Sequence, residues 1–300
     1  MTGSVPARPA VDPWRFDAIG TAWEVVTETP VGDELRGRVL ALIERFDAEW
    51  SRFRPDSVVS RLADGGSAPL PPDGPVMLDA FAELSAATNG AVNPLVGGSL
   101  AALGYGAGYA LKAGEPLAAP ADWTDALTWG GGILSLDRPA LIDVGALGKG
   151  RLVDLVAAEL AGAVAGSLVV DAGGDITVRG ASQRIGLEHP FDLRRAIGVW
   201  EVSDAALCAS AVNRRAWGEG LHHVLDARTG APVRTIAATW AVAATAMQAD
   251  AVATALFFDG GPRIAHAWGV EWVRMTTDGR VDWSPSCGAD LFTREASVEG

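Results

Sequence analysis

The helix–strand order of the sequence is that of an α+β protein, and three stretches carry the reading. Thr21–Thr27 is a β-branched and aromatic run followed by two helical patterns. Ser167–Ser210 holds a succession of short strand patterns broken by paired glycines. Ile236–Ala243 is an apolar strand pattern that stops at Thr245, where a helix signal begins. Three hundred residues, 49% hydrophobic with 36 Gly and 17 Pro, suffice for one large domain or two intimate ones with a full core.

Composition excludes several classes. A net charge of −13 argues against nucleic acid and against an anionic membrane surface, since both require a basic patch. An anionic ligand would need local cations. Cys208 and Cys287 form neither a disulfide framework nor a metal knuckle. Residues 1–20 hold three prolines and no apolar run of seven or more, so no secretory signal or lipobox cysteine is seen and a cytoplasmic location is expected. Residues 1–18 are expected to be a flexible segment ahead of a single domain over 19–300. Ile236–Phe258 carries one charge, Asp250, over a length that could span a bilayer, but the cap at Thr245 divides it into strand and helix, so no membrane span is expected.

In chain order, Asp33 is expected to cap a helix whose apolar positions Val39, Leu42, Ile43, Phe46, Trp50 and Phe53 keep helical spacing. Ser51–Leu62 closes it, with Pro55 and Asp56 marking a turn. Arg52 and Arg54 have two readings there, contact with phosphate or solvated arginines at a helix end. A second helix, about Pro75 to Thr88, leads through the Asn89-Gly90 turn into Ala91–Gly98. Gly104-Tyr-Gly-Ala-Gly108 fails the spacing of a dinucleotide fingerprint and has no strand before it, so it reads as a flexible loop.

Leu141–Val156 reads as a short apolar strand, a Gly-rich turn and a helix to about Leu160, stopped by Gly162. It is not a Walker A loop, because only Ala146 and Leu147 separate Gly145 from Gly148, and Gly150 stands where the Mg²⁺-binding Ser/Thr would follow Lys149. Of the 24 Lys and Arg residues only Lys112 and Lys149 are lysines. An ammonium retained at a helix start, where the macrodipole repels cations, suggests that a point charge is wanted. Downstream, Ser167–Asp171 runs through Gly173-Gly174 into a strand at Ile176–Arg179, and strands near 184–188, 196–202 and 206–210 follow. Leu221–Gly230 reads as a strand ending in a turn, on which alternation puts His222 and His223 on opposite faces, so at most one faces a pocket. Last, Thr245 with Gln248 has the form of a capping box, and Asp250 and Thr254 then stack a carboxylate and a hydroxyl on one face near the helix start. Two hard oxygens suit Mg²⁺; the bland alternative is a Thr back-bonded to its own helix beside an Asp that sits well near an N-terminus.

Asp143…Lys149-Gly150…Asp154, His223-Val-Leu-Asp-x-Arg-Thr-Gly230 and Ala246-Met-x-Ala-Asp250-x-x-x-Thr254, together with Ile19-Gly-Thr21, Ser51–Leu62, Ala91–Leu100 and Val170–Asp175, resemble the ApbE family of flavin transferases. The resemblance runs over nearly the whole chain. It implies an α+β fold with a T-fold-like core, mixed sheets and flanking helices, and a Mg²⁺-dependent FAD:protein FMN transferase that attaches FMN to a threonine of a target flavoprotein through a phosphoester and releases AMP. An FAD-binding protein, or an FAD pyrophosphatase that forms FMN and AMP without protein transfer, is the alternative. By the motifs, Mg²⁺ ligands fall on Asp250, Thr254 and the main-chain carbonyl of Ala146, and FAD contacts on Ile19, Phe53, Ala91, Val92, Asn93, Asp143, Lys149 and Val224. His223 is the implied proton acceptor. Asn93 where family members often have Asp, Leu95 for Thr, Ala227 for Pro and Ala211 for Gly are departures that bear on affinity or target choice more than on the chemistry.

Overall fold

The computed structural model describes residues 12–106, 114–213, 216–217 and 220–292. Its spine is an eight-stranded sheet made, edge to edge, of Trp14–Ala18, Thr21–Thr27, Leu168–Ala172, Asp175–Arg179, Ala206–Ala211, Ile236–Ala243, Glu271–Thr276 and Val281–Trp283. Every described pairing, in this and the smaller sheets, is antiparallel, so the expected mixed sheets resolve into antiparallel ladders beside helices within an α+β fold.

Alternation along the strands feeds two cores. Leu168, Val170, Ala172, Ala206 and Cys208 pack with residues of the helices Asp33–Trp50, Gly148–Ala161 and Ala246–Ala255. Val178, Leu207, Trp240, Val273 and Met275 face the other way, against Leu187, Trp200 and Val202 of a three-stranded sheet formed by Ser182–Glu188, Ala196–Ser203 and Ala289–Leu291. The helical layer carries the chemistry-bearing residues and the second sheet backs it.

Several boundaries differ from the sequence expectation for identifiable reasons. Trp14–Ala18, inside the expected flexible segment 1–18, is a strand paired along Thr21–Thr27 through a turn at Ile19 and Gly20, with φ of 45° and 73°. A β-branched residue at positive φ is strained, and such strain concentrates at functional sites. Gly32 is the N-cap of the 33–50 helix, so Asp33 is its first residue and favours it only through charge at the positive end. Leu141–Val144 is not a strand: the Asp143 N–H bonds the Pro94 carbonyl at 2.7 Å, which ties this segment to a loop instead of a ladder. The expected strand over 221–230 is broken into Leu221–His222 and Leu225–Asp226. The 74–87 helix does end in the expected turn, with Asn89 and Gly90 at φ of 53° and 82°. Of the 104–108 loop, Ala107 and Gly108 lie outside the described residues, as does Lys112. Among the described residues no helix is long and apolar enough to cross a membrane.

Candidate functional site

Two cavities of about 390 and 400 Å³ adjoin between the 51–54 turn, the start of the Gly148–Ala161 helix and the start of the Ala246–Ala255 helix. Tyr105, Asp143, Gly145 and Lys149 line both, so the pair forms one two-lobed recess. Ile19 and Phe53 line the first lobe; Ala91, Val92, Asn93, Ala146, His223, Val224, Asp250 and Thr254 line the second. Residues spread from 19 to 254 in sequence therefore meet at one place, and each site residue expected from the sequence is on its wall.

The second lobe is organised by two helix N-termini that cap each other. Thr245 caps the 246–255 helix by accepting from the Gln248 N–H, as its sequence pattern indicates. The next two orphan amides of that helix, Ala246 and Met247, donate to the two oxygens of Asp154 on the other helix at 2.7 and 2.9 Å. In return Asp250 Oδ2 accepts the Gly150 N–H at 2.9 Å. Gly150 makes the approach possible, because a Cβ there would collide with the Ala246 carbonyl and stand 2.7 Å from Asp250 Cβ. The missing Ser/Thr of a Walker loop is thus a packing requirement. Burial holds the Asp154 carboxyl above the usual carboxylate range against the pull of its two amide bonds.

Lys149 does not point into bulk water. Its ammonium lies 2.9 Å from Asp175 Oδ2 and donates to the Ala172 carbonyl at 3.2 Å. Asp175 is fully buried, so this ion pair is the contact that compensates its carboxylate. Burial alone would lower the Lys149 pKa; the carboxylates of Asp175 and Asp250 outweigh it and raise it. The ammonium is thus held protonated at the junction of the lobes, paired with Asp175. Cys208 beneath it is sealed off, with burial pushing its thiol pKa well up.

The wall between the lobes rests on Arg52, the first of the two ambiguous arginines. Its Nε meets Asp143 Oδ2 at 2.5 Å and its Nη1 donates to the Tyr105 carbonyl at 2.7 Å, while Asp143 Oδ1 accepts the Gly145 N–H at 2.7 Å. Arg54, by contrast, is partly solvated and pairs with Glu44, Asp47 and Asp56. Asn93 uses both ends of its amide, accepting from the Leu95 N–H and donating to the Pro120 carbonyl, each at 2.8 Å. An Asp here could not make the second bond, which gives that departure a structural reason.

The two histidines part company at the break in their strand. His222 is buried, with Nε2 donating to the Val233 carbonyl at 2.8 Å and Nδ1 accepting the Val224 N–H at 3.3 Å, and burial lowers its pKa. His223 lines the second lobe. Only one of the two therefore faces this cavity, as expected, although the strand on which the expectation rested stops at His222.

Among the described residues no group of three His, Cys, Asp or Glu could hold a metal. Two carboxylates line the second lobe, and since Asp143 is engaged by Arg52 and the Gly145 N–H, the oxygen donors left for a cation are those of the buried Asp250, with the Thr254 hydroxyl and the Ala146 backbone on the same wall. An all-oxygen set with a single charge fits a hard cation that keeps most of its shell for water and phosphate.

The sequence matches the ApbE family profile over residues 19–271. The chain belongs to the ApbE family. It is 28% identical to the FAD:protein FMN transferase of Rhodobacter capsulatus over 95% of this chain and 58% of that protein, so it spans little more than half the length of that ApbE relative. It is 27% identical to the FAD:protein FMN transferase of Vibrio cholerae over 82% of this chain and 80% of the relative. The crystal structure of the ApbE protein of Thermotoga maritima superposes with a TM-score of 0.80 at 20% identity, covering 91% of this chain and 97% of that one, a likeness of fold. Four residues that line or support this ApbE recess had no assigned role in the sequence reading: Tyr105, left in a loop; Asp175, at a strand start; Asp154, present in a quoted motif; and Arg52, left between two readings. Asp154 carried a signal as an acidic residue of the Lys149 motif, and Arg52 an ambiguous one beside Arg54; Tyr105 and Asp175 carried none.

Proposed function

We propose that this protein binds FAD across the two-lobed recess and transfers its FMN portion to a threonine hydroxyl of an acceptor flavoprotein, releasing AMP. One observation carries the reading: residues from seven separated sequence segments line a single recess whose junction holds the fixed ammonium of Lys149. In a chain of net charge −13, that ammonium supplies part of the local attraction a pyrophosphate requires. Asp250, Thr254 and the Ala146 carbonyl are the residues that would hold Mg²⁺, which when bound neutralises charge on the transferring phosphoryl group. His223 takes the proton of the attacking hydroxyl; the new bond joins the threonine oxygen to the FMN-side phosphorus, and the bond from that phosphorus to the AMP oxygen breaks. Ala91, Val92 and Val224 give an apolar wall against which a flat ring can lie.

The test mixes the protein with FAD, Mg²⁺ and an FMN-binding-domain protein carrying an acceptor threonine. Flavin fluorescence that stays on the acceptor through denaturing electrophoresis, lost when the acceptor threonine is replaced by valine, is the expected result. AMP release with no labelled acceptor would identify an FAD pyrophosphatase instead.

A further inference from the structure

Among the described residues, two donors of the first lobe are buried without a partner. Arg52 is 5% exposed; its Nε and Nη1 are spent on Asp143 and Tyr105, and its Nη2 has no hydrogen bond. Trp50, the last residue of the 33–50 helix and 3% exposed, has an indole Nε1 in the same condition. Both residues line the first lobe. Buried donors are ordinarily satisfied, and an unsatisfied one is a standing cost that folding has not removed. Two in one cavity, one of them on a guanidinium clamped at its other nitrogens, point to a ligand that brings acceptors.

The surroundings specify the acceptor. The Arg52 guanidinium carbon stands 4.2 Å from the Phe53 ring centroid and 5.1 Å from that of Tyr105, and the Phe53 and Tyr105 rings meet edge to face at 5.5 Å. Phe46 and Trp50 add further aromatic wall. A slot of aromatic faces with N–H donors suits a flat heteroaromatic ring that carries lone pairs on its edge. A phosphate would gain little from the rings.

Resting on the proposed function, we infer that Arg52 Nη2 and Trp50 Nε1 are specificity-determining donors of the first lobe, which read the acceptor edge of one of the two ring systems of FAD. Adenine and the isoalloxazine both present such an edge, and the ligand series below separates them.

Binding of FAD, riboflavin, AMP and inorganic pyrophosphate to the parent protein, Trp50→Phe and Arg52→Lys is measured by calorimetry, with thermal unfolding of each apo protein. Trp50→Phe removes an N–H that bonds nothing among the described residues, together with part of a buried ring. Its apo form should lose only the packing of the smaller ring and stay folded, while FAD affinity falls roughly 5–20-fold, the range for one hydrogen bond to a neutral donor. Arg52→Lys should fall further, roughly 10–100-fold, because the charged donor is lost. The loss should reappear with riboflavin or with AMP, but not with pyrophosphate. Trp50→Phe with parent FAD affinity, or a loss that follows pyrophosphate, would overturn the inference even where Arg52→Lys proves unstable. A parent protein that binds no FAD would bring down the functional reading and this subsite together; a parent that binds FAD beside an unaffected Trp50→Phe removes the subsite alone.

Discussion

Asp154 and Asp250 do the same service for each other's helices, yet only one of them reaches the cavity. Asp154 closes the start of the 246–255 helix with both oxygens and lines neither lobe; Asp250 closes the start of the 148–161 helix with Oδ2 and lines the second lobe. His222 and His223 repeat the division at adjacent positions, one bonded to Val233 and Val224 in the interior, the other on the cavity wall. Residue type is the same within each pair. What separates structural from chemical members is the side of the packing interface on which the side chain ends. If that is right, substitutions within a pair should divide cleanly, the cavity member costing turnover and the interior member costing stability.

The largest expected effect is at Asp250. Asp250→Asn keeps an acceptor for the Gly150 N–H, so its unfolding free energy should stay within about 1 kcal/mol of the parent. Loss of the only carboxylate among the proposed metal donors should lower Mg²⁺-dependent FMN transfer by ~10³-fold or more. Transfer assays beside denaturant melts decide it, and a variant that loses stability but retains turnover would place Asp250 with Asp154. His223→Ala comes next. A positioned base contributes typically ~10²–10⁴-fold, and a loose phosphoryl-transfer transition state asks little of it, so the lower end is expected, with FAD binding retained. Single-turnover transfer and FAD titration of His222→Ala alongside give the contrast: equal slowing by both substitutions would break the pairing.

How much of this was visible in the chain follows the same division. The 245–256 segment was legible because capping and periodicity are local: Thr245, Gln248, Asp250 and Thr254 announce themselves within one helix. The strand at 236–243 was legible for the same reason. The tie from Asp154 to Ala246 spans 92 positions and that from Arg52 to Asp143 spans 91, and neither has a periodic signature. Arg52 shows the limit most plainly, since it and Arg54 are two residues apart in one turn, and only the fold buries the first and leaves the second in solvent. Leu141–Val144 was misread as a strand because an apolar run cannot reveal that its amide is already promised to Pro94.

The interior members should show smaller effects, in stability. Asp154→Asn leaves one amide of the 246–255 helix without its carboxylate oxygen and should cost about 1–2 kcal/mol in urea unfolding, with turnover per folded molecule reduced less than tenfold. A loss of turnover that rivals Asp250→Asn, with stability unchanged, would show that Asp154 acts on the ligand.

The smallest effect should be at His222, and its sign is fixed by the structure. Burial depresses its pKa below the ordinary value of ~6.5, and its neutral ring serves as donor through Nε2 and as acceptor through Nδ1. The folded state thus binds a proton less readily here than the unfolded chain does. By linkage the stability contributed by this group is fully present above ~6.5 and is lost as pH falls through the depressed folded value. The loss has a structural expression, because a proton on Nδ1 ejects the Val224 N–H from its bond, and Val224 lines the second lobe. Unfolding free energies of the parent and of His222→Gln, measured from pH 8 down to 5, should therefore converge as the pH falls, since only the parent carries this proton-linked penalty. A constant gap between them across that range would mean that the His222 ring titrates alike in both states and that its bonds to Val233 and Val224 are not worth what burial implies.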